Sequence, residues 1–164
     1  MVIWIIGKSG SGKSFITAKL YKKIKKKIKK VKWIDGDKFR KKYSKDLGFS
    51  LKDRKTNSKR IQRYCKYLDK RDYVVLCSVL SIFKEHQKEN RKIFANYLQI
   101  FIKANQKLLE KRNNKKIYSR KINVVGRDIP FVIPYKNDLI IKNNFNKYFG
   151  HNVKKVLKKV NEKL

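Results

Sequence analysis

The sequence predicts an α/β fold of three layers, in which helices flank both faces of a mostly parallel sheet. Short apolar runs alternate along the chain with longer stretches whose apolar residues recur every three or four positions. The runs are typical of strands buried on both faces, and the longer stretches of amphipathic helices. Their alternation favours parallel strands joined by helical crossovers. The 164 residues suit one domain, and no linker or repeat divides 1–164.

The elements can be assigned in chain order from these patterns. Strands are expected at 2–6, 31–34, 73–79, 97–102 and 139–141. Helices are expected at 12–30, 57–68, 82–95 and 105–112, with a terminal amphipathic helix over 153–160. A polar stretch at 38–56 shows no regular element. Residues 113–134 also lack clear periodicity and exceed ordinary connection lengths, so we expect a lid or substrate loop there.

Charge is the most prominent feature of the composition. The chain has 46 basic and 12 acidic residues, a formal net charge of +34. Such an excess attracts polyanions, but only nine of the basic residues are arginine, the residue suited to bidentate phosphate and guanine recognition. We therefore expect no specific nucleic-acid partner. No apolar run reaches the ~18 residues of a membrane span, and two cysteines make no disulfide scaffold. The expectation is a soluble cytoplasmic protein with no membrane partner.

A phosphate-binding loop follows the first predicted strand. Residues 7–14 read Gly-Lys-Ser-Gly-Ser-Gly-Lys-Ser and fit the pattern G-x-x-x-x-G-K-[ST] between a strand and a helix. Glycines let backbone N–H groups converge on phosphate oxygens, and the helix N-terminus adds positive charge. The residues expected to hold ATP are Gly7, Gly10, Ser11, Gly12, Lys13 and Ser14. Lys13 should reach the β- and γ-phosphates as a catalytic residue, and the Ser14 hydroxyl should ligate Mg²⁺.

Two carboxylates follow the second predicted strand. Asp35 and Asp37 flank a glycine at the carboxyl end of that strand, where open α/β sheets bind ligands. This order of elements indicates a small-molecule kinase of the P-loop class. We expect one carboxylate to act on the acceptor hydroxyl and the other to hold Mg²⁺, directly or through water. The third strand ends in Cys77-Ser78 without an acidic residue, which shifts the metal role to this pair.

The alternative is a basic nucleic-acid-binding P-loop protein without small-molecule kinase activity. Lysine-driven binding of that kind would be weak, sequence-blind and strongly dependent on salt. Nucleotide binding in a closed cleft would survive physiological ionic strength, so the two hypotheses differ in a measurable property.

Three blocks of the sequence resemble adenylylsulfate kinases, which phosphorylate the ribose 3′-hydroxyl of adenosine 5′-phosphosulfate. These blocks are the loop at 7–14, Asp-Gly-Asp-Lys-Phe-Arg at 35–40, and Asp-Leu-Gly-Phe-Ser at 46–50 followed by Asp53, Arg54 and Asn57. The last block is distinctive among P-loop kinases. The resemblance runs from Trp4 to about Ile141, and it implies a P-loop kinase fold that uses ATP and Mg²⁺.

The resemblance also implies roles for individual residues. The positions that match the family's nucleotide-substrate contacts are Arg40, Phe49, Arg54, Asn57 and Lys115. Arg112 matches an arginine on the ATP side. The arginines suit a sulfate- or phosphate-bearing acceptor, since a guanidinium fork complements tetrahedral oxyanions. A homodimer is a further expectation.

Some acceptor-side positions depart from the family pattern. Val124 stands where the family has a phenylalanine that stacks on the acceptor's adenine, and valine cannot stack. Leu80-Ser81-Ile82-Phe83-Lys84 replaces Ile-Ser-Pro-Tyr-Arg. Two explanations stay open: drift within an adenylylsulfate kinase, or a different nucleotide acceptor such as cytidine diphosphoramidate, phosphorylated on the same hydroxyl.

Overall fold

A computed structural model describes residues 1–112 and 122–163. The strands are β1 (Val2–Ile6), β2 (Val31–Asp35), β3 (Val74–Val79), β4 (Tyr97–Ala104) and β5 (Leu139–Asn143). The helices are α1 (Lys13–Lys25), α2 (Gly36–Tyr43), α3 (Leu51–Asp69), α4 (Lys84–Ile93), α5 (Gln106–Arg112) and α6 (Asn152–Asn161), with a 3₁₀ turn at Lys147–His151. In these ranges, no helix is both long and apolar enough to cross a membrane.

The five strands form one parallel sheet in the order β2-β3-β1-β4-β5. This confirms the predicted three-layer α/β fold. The chain leaves β1 towards β2 and β3 on one side, and then crosses to β4 and β5 on the other. The chain segments on the two sides of β1 therefore separate at its carboxyl end, which is the place where open α/β sheets bind ligands. Gly7 begins the phosphate-binding loop at this point.

The side chains of β1 alternate between two hydrophobic cores. Ile3 and Ile5 pack with α1 and α6, in a cluster that includes Leu20 and Val156. Val2, Trp4 and Ile6 point to the opposite face and pack with residues of α2 and α3. Burial on both faces explains why β1 is apolar at every position.

Helix α1 is shorter than the sequence predicts. Its apolar stripe was expected to continue to residue 30, but the helix ends at Lys25. The Ile24 carbonyl accepts from both Lys27 N and Ile28 N, which tightens the last turn. The chain must reverse there to bring Val31 into the sheet, so the periodicity outlasts the helix.

The polar stretch at 38–56 contains regular structure that the sequence analysis missed. Helix α2 occupies its first part, and Asp35 caps the N-terminus by accepting from Asp37 N and Lys38 N. Helix α3 begins at Leu51 instead of residue 57, because the Ser50 side chain caps it through Asp53 N. The sequence analysis missed α2 and the first residues of α3, because capping side chains rather than an apolar stripe set where these helices begin.

Candidate active site

The phosphate-binding loop passes over the carboxyl end of β1 into α1. Gly10 and Gly12 both have positive φ, 76° and 97°. A Cβ on Gly12 would also lie 2.6 Å from Phe149 and 2.9 Å from Asn143 Nδ2, so only glycine fits. The Asn143 amide donates to the Ser11 carbonyl at 2.9 Å and ties the loop to β5. The loop is thus held by an edge strand of the sheet.

Lys13 and Ser14 lie at the mouth of this loop. The Lys13 ammonium donates to the carbonyls of Gly7 and Lys8 at 2.8 and 2.7 Å, which places its charge above the loop. The Ser14 hydroxyl donates to Asp35 Oδ2 at 2.9 Å. The first helix and the second strand therefore meet through a hydroxyl and a carboxylate, the oxygen ligands that Mg²⁺ prefers.

Asp35 has two structural partners besides Ser14. Its Oδ1 caps α2, and its Oδ2 accepts from the Ser78 hydroxyl at 3.4 Å. Ser78 is the residue of β3 that pairs with Asp35, and it also accepts from Trp33 Nε1 at 3.0 Å. Where an acidic residue was missing from β3, a serine thus supports the carboxylate of β2. Asp37, two residues further on, lines the same cleft.

Two arginines enclose Phe49 on the other side of the cleft. Their guanidinium carbons lie 5.2 Å (Arg40) and 5.6 Å (Arg54) from the Phe49 ring centre. Arg40 donates to the Gly48 carbonyl, and Arg54 donates to the carbonyls of Phe49 and Asn123, each at 2.9 Å. Phe49 itself is 43% exposed, so it is not a core residue. The cluster offers an aromatic face next to two cations.

Asn57 and Val124 complete the wall behind these arginines. The Asn57 side chain is buried, and its Oδ1 has no hydrogen-bond partner among the described residues. Val124 is 1% exposed and lines the cleft together with Asn57 and Arg54. The bond from Arg54 to Asn123 fixes the segment that carries Val124 against α3. The buried Asn57 oxygen is therefore placed to accept from a ligand.

The structure brings most predicted site residues into one cleft. Those that line it are Lys13, Ser14, Asp35, Asp37, Arg40, Phe49, Arg54 and Asn57. Arg112 lies apart, with its guanidinium 4.7 Å from the Phe145 ring centre. Lys115, and with it residues 113–121 of the predicted lid, lies outside the described residues. Within residues 122–134, the structure has an isolated β-bridge between Val125 and Ile129.

Sequence reasoning missed several residues around the site. Phe149 stacks on Phe15 at 5.9 Å and covers Gly12, and Phe145 lies below Arg112. Both phenylalanines follow β5, where no motif marks them. Ser58 and Phe83 line the cleft as well. Ser58 is one residue beyond a matched block, and only its place on α3 identifies it.

The imidazole of His86 is a buried group close to this cleft. Burial, and next the charge of Lys59, hold the pKa of His86 below its ordinary value of 6.5. Glu85 and Glu89 oppose this shift, and Lys55 adds to it. The sequence analysis left His86 without a site role, and the structure places it against Ser58, at 2.8 Å from Nδ1 to Oγ.

The lowered pKa of His86 predicts a pH-dependent stability. Above pH 6.5 the imidazole is neutral in the folded and unfolded chains, so its titration does not lower the free energy of unfolding. As the pH falls below that value the unfolded chain binds the proton first, and the free energy of unfolding decreases. His86→Asn should therefore lose less stability than the wild type between about pH 7 and 5. Urea titrations across this range measure the difference, and parallel curves for the two proteins would contradict it.

A phosphate-binding loop facing two carboxylates and an arginine-lined cleft defines a kinase of the P-loop class. Residues 1–142 match the family described as adenylylsulphate kinase, and the chain belongs to that family. It is accordingly an ATP-dependent phosphotransferase with a hydroxyl acceptor. This membership does not support the alternative of a nucleic-acid-binding protein without kinase activity.

Individual relatives agree with this assignment. The chain is 32% identical to the cytidine diphosphoramidate kinase of Campylobacter jejuni, with 97% of this chain and 95% of the relative covered. It is 30% identical to the adenylyl-sulfate kinase of Gloeothece citriformis, at 99% and 94% coverage. Its structure is similar to the Mycobacterium tuberculosis APS kinase CysC in complex with AMPPNP and APS, with a TM-score of 0.86 and 26% identity over 98% of this chain and 96% of that one.

Proposed function

We propose that this kinase transfers the γ-phosphoryl group of ATP to the ribose 3′-hydroxyl of a cytidine nucleotide of the cytidine diphosphoramidate type. The observation that carries the proposal is Val124, a buried residue of the cleft wall at the position where the family resemblance expects an aromatic ring. On the donor side, residues 7–14 match every position of the phosphate-binding pattern. The acceptor side has changed where a base would be recognised.

On the donor side, the loop at 7–14 would bind the phosphates of ATP. Its backbone amides and the N-terminus of α1 supply donors and positive charge. Lys13 is held by two loop carbonyls and would turn from them to the β- and γ-phosphates. Arg112 and Phe145 form a cation–aromatic pair that would flank the ATP base.

The residues present fit Mg²⁺. Ser14 and Asp35 supply a hydroxyl and a carboxylate oxygen 2.9 Å apart, and Asp37 adds a second carboxylate to the same cleft. These groups would hold the ion directly or through water. When bound, Mg²⁺ neutralises charge on the phosphates during transfer.

Catalysis would consist of positioning and charge neutralisation, since phosphoryl transfer needs little covalent help. Asp35 is committed to Ser14 and to the cap of α2. Asp37 lines the same cleft and matches the family position nearer the acceptor, so we assign it to the acceptor hydroxyl. There it would orient the hydroxyl or accept its proton.

On the acceptor side, Arg40 and Arg54 would bind the charged groups of the nucleotide. Both guanidinium groups are anchored by backbone carbonyls, so they are preorganised for an anion. Phe49 lies between them with an exposed face on which a base or ribose can pack. Asn57 Oδ1, buried and unpartnered among the described residues, would accept from the nucleotide.

The identity of the base would follow from Val124. Aromatic stacking on a base is worth about 1–3 kcal/mol, so valine weakens adenine selection by roughly ten- to a hundred-fold. A pyrimidine needs less room and less aromatic contact than a purine. The Campylobacter jejuni relative, whose name states a cytidine nucleotide, supports the same choice.

Val124→Phe should improve the use of adenosine 5′-phosphosulfate by roughly ten- to a hundred-fold in kcat/KM, because it supplies the missing stacking surface. Val124→Leu fills the wall without an aromatic face and should give no such gain. Ile122→Phe, which adds the same ring at a position that is 72% exposed, is the matched control. Thermal melts confirm that each variant folds. If all three variants use adenosine 5′-phosphosulfate equally well, Val124 does not determine which base is selected.

A further inference from the structure

We propose that Ser58 determines acceptor specificity by donating a hydrogen bond from its hydroxyl to a carbonyl oxygen of the acceptor's pyrimidine, with His86 as the positioning residue that aims the hydroxyl. This inference rests on the proposed cytidine-type acceptor. Ser58 would make a hydrogen bond to the base, whereas Val124 only fails to provide a stacking surface.

Ser58 lies on the wall where the base is expected. It follows Asn57 on α3 and lines the cleft together with Arg54 and Val124. Ser58 is half-buried, so a bond made there is partly shielded from water. Phe83, from the loop after β3, lines the cleft beside it and packs on His86 at 5.2 Å between ring centres.

The tautomer of His86 decides what Ser58 offers to the cleft. His86 is 2% exposed, its Nδ1 lies 2.8 Å from Ser58 Oγ, and its Nε2 is buried with no partner in the described parts of the chain. A buried N–H without an acceptor is rarer than a buried acceptor without a donor. The proton therefore belongs on Nδ1, which donates to Ser58 Oγ. The hydroxyl proton of Ser58 is then left to point into the cleft as a donor.

Polar contacts on both sides keep this pair in place. Before it, Lys55 pairs with Glu85 at 3.2 Å, and after it Lys59 pairs with Glu89. One turn further, Gln62 donates to Asn90 at 2.7 Å in the buried interior. These contacts join α3 to α4 at successive turns, so the two helices that carry Ser58 and His86 are linked on both sides of the pair. Burial, and next Lys59, lower the pKa of His86, which favours the neutral imidazole with a single ring proton.

A hydroxyl donor on this wall suits a pyrimidine. Cytosine carries a ring carbonyl, which is a strong acceptor, whereas adenine has no carbonyl and accepts only through ring nitrogens at other positions of the base. A site built to hydrogen-bond one group disfavours an analogue that lacks it, because the protein's own polar atom is then left unpaired. Ser58 would therefore add to the discrimination against adenosine nucleotides at the place where Val124 removes stacking.

Steady-state kinetics with cytidine 5′-diphosphoramidate test the contact. Ser58→Ala should raise KM for this acceptor by about two- to tenfold with little change in kcat, the loss expected for one neutral hydrogen bond made equally in ground and transition states. KM for ATP should not change. Ser58→Thr, which keeps the hydroxyl, should restore the lower KM. Thr56→Ala is the matched control, because that hydroxyl bonds to the Lys52 carbonyl on the exposed side of α3.

The positioning role of His86 has its own readout. His86→Asn places an amide nitrogen near the position of Nδ1 and should keep the wild-type KM, whereas His86→Gln places it near Nε2 and should behave like Ser58→Ala. Nitrogen-15 shifts of the imidazole should report the Nδ1–H tautomer. The chain has two histidines, so His86→Asn also assigns the signals.

The outcomes separate this inference from the proposed function. A wild-type protein that does not phosphorylate the cytidine nucleotide overturns the proposed function and this inference with it. A wild-type protein that does so, with an unchanged KM in Ser58→Ala or an Nε2–H tautomer of His86, overturns only the role of Ser58.

Discussion

Replacement of Lys13 by alanine is expected to lower kcat by at least about a hundred- to a thousand-fold, the loss typical when one preorganised hydrogen-bond donor to a transition state is removed. The Lys13 ammonium lies above the loop, held by the Gly7 and Lys8 carbonyls, and it has no part in either hydrophobic core. The variant should therefore melt like the wild type. Phosphoryl transfer under saturating ATP measures the effect.

The matched control is Lys22→Ala, which removes an exposed lysine from the same helix. It changes the net charge equally and should keep wild-type turnover. Near-normal turnover in Lys13→Ala would show that the loop at 7–14 does not bind the transferred phosphate.

The second large effect is expected at the two carboxylates. Asp37→Asn and Asp35→Asn keep side-chain shape and remove charge, so we expect losses mostly in kcat, since both act at the metal or the attacking hydroxyl. Asp37→Asn should be the more severe. An asparagine at position 35 still offers a side-chain oxygen that accepts from the backbone amides at the start of α2, which preserves the fold.

Asp72→Asn supplies the control for these variants, because Asp72 is exposed in the turn before β3. Acceptor saturation curves for the three proteins separate kcat from KM. Wild-type turnover in both Asp35→Asn and Asp37→Asn would reduce the pair to a structural turn in which Asp35 caps α2.

The first strand, the loop and the start of α1 were predictable because each carries a local signal. A continuous apolar run marks β1, and the glycine pattern marks the loop. The register of the sheet was not predictable in detail, but parallel pairing followed from the alternation of strands and helices. The possible homodimer stays a prediction.

Helix α2 could not be found from periodicity, since Phe39 is its one buried side chain. Its start depends on Asp35, which the sequence analysis assigned to the acceptor hydroxyl or to Mg²⁺. A carboxylate that both caps a helix and accepts from Ser14 serves two purposes, and the sequence shows neither partner.

The acceptor side of the site depended on the family resemblance rather than on residue chemistry. Nothing local distinguishes Arg40 and Arg54 from the other basic residues of so basic a chain. In the structure the guanidinium carbons of Arg40 and Arg54 lie 5.2 and 5.6 Å from the centre of the Phe49 ring. Sequence spacing alone does not predict this arrangement. The Ser58–His86 contact joins residues 28 positions apart, and it became visible only in the fold.

The kcat/KM of the wild-type protein for cytidine 5′-diphosphoramidate, measured against that for adenosine 5′-phosphosulfate with ATP and Mg²⁺, tests the central claim most directly. Phosphorus NMR of the products locates the new phosphate. We expect the cytidine compound to be preferred by at least roughly tenfold, the effect of one lost stacking contact, with the phosphate on the ribose 3′-oxygen. A wide preference for adenosine 5′-phosphosulfate would make Val124 a neutral change and the protein an adenylylsulfate kinase in substrate as well as in family.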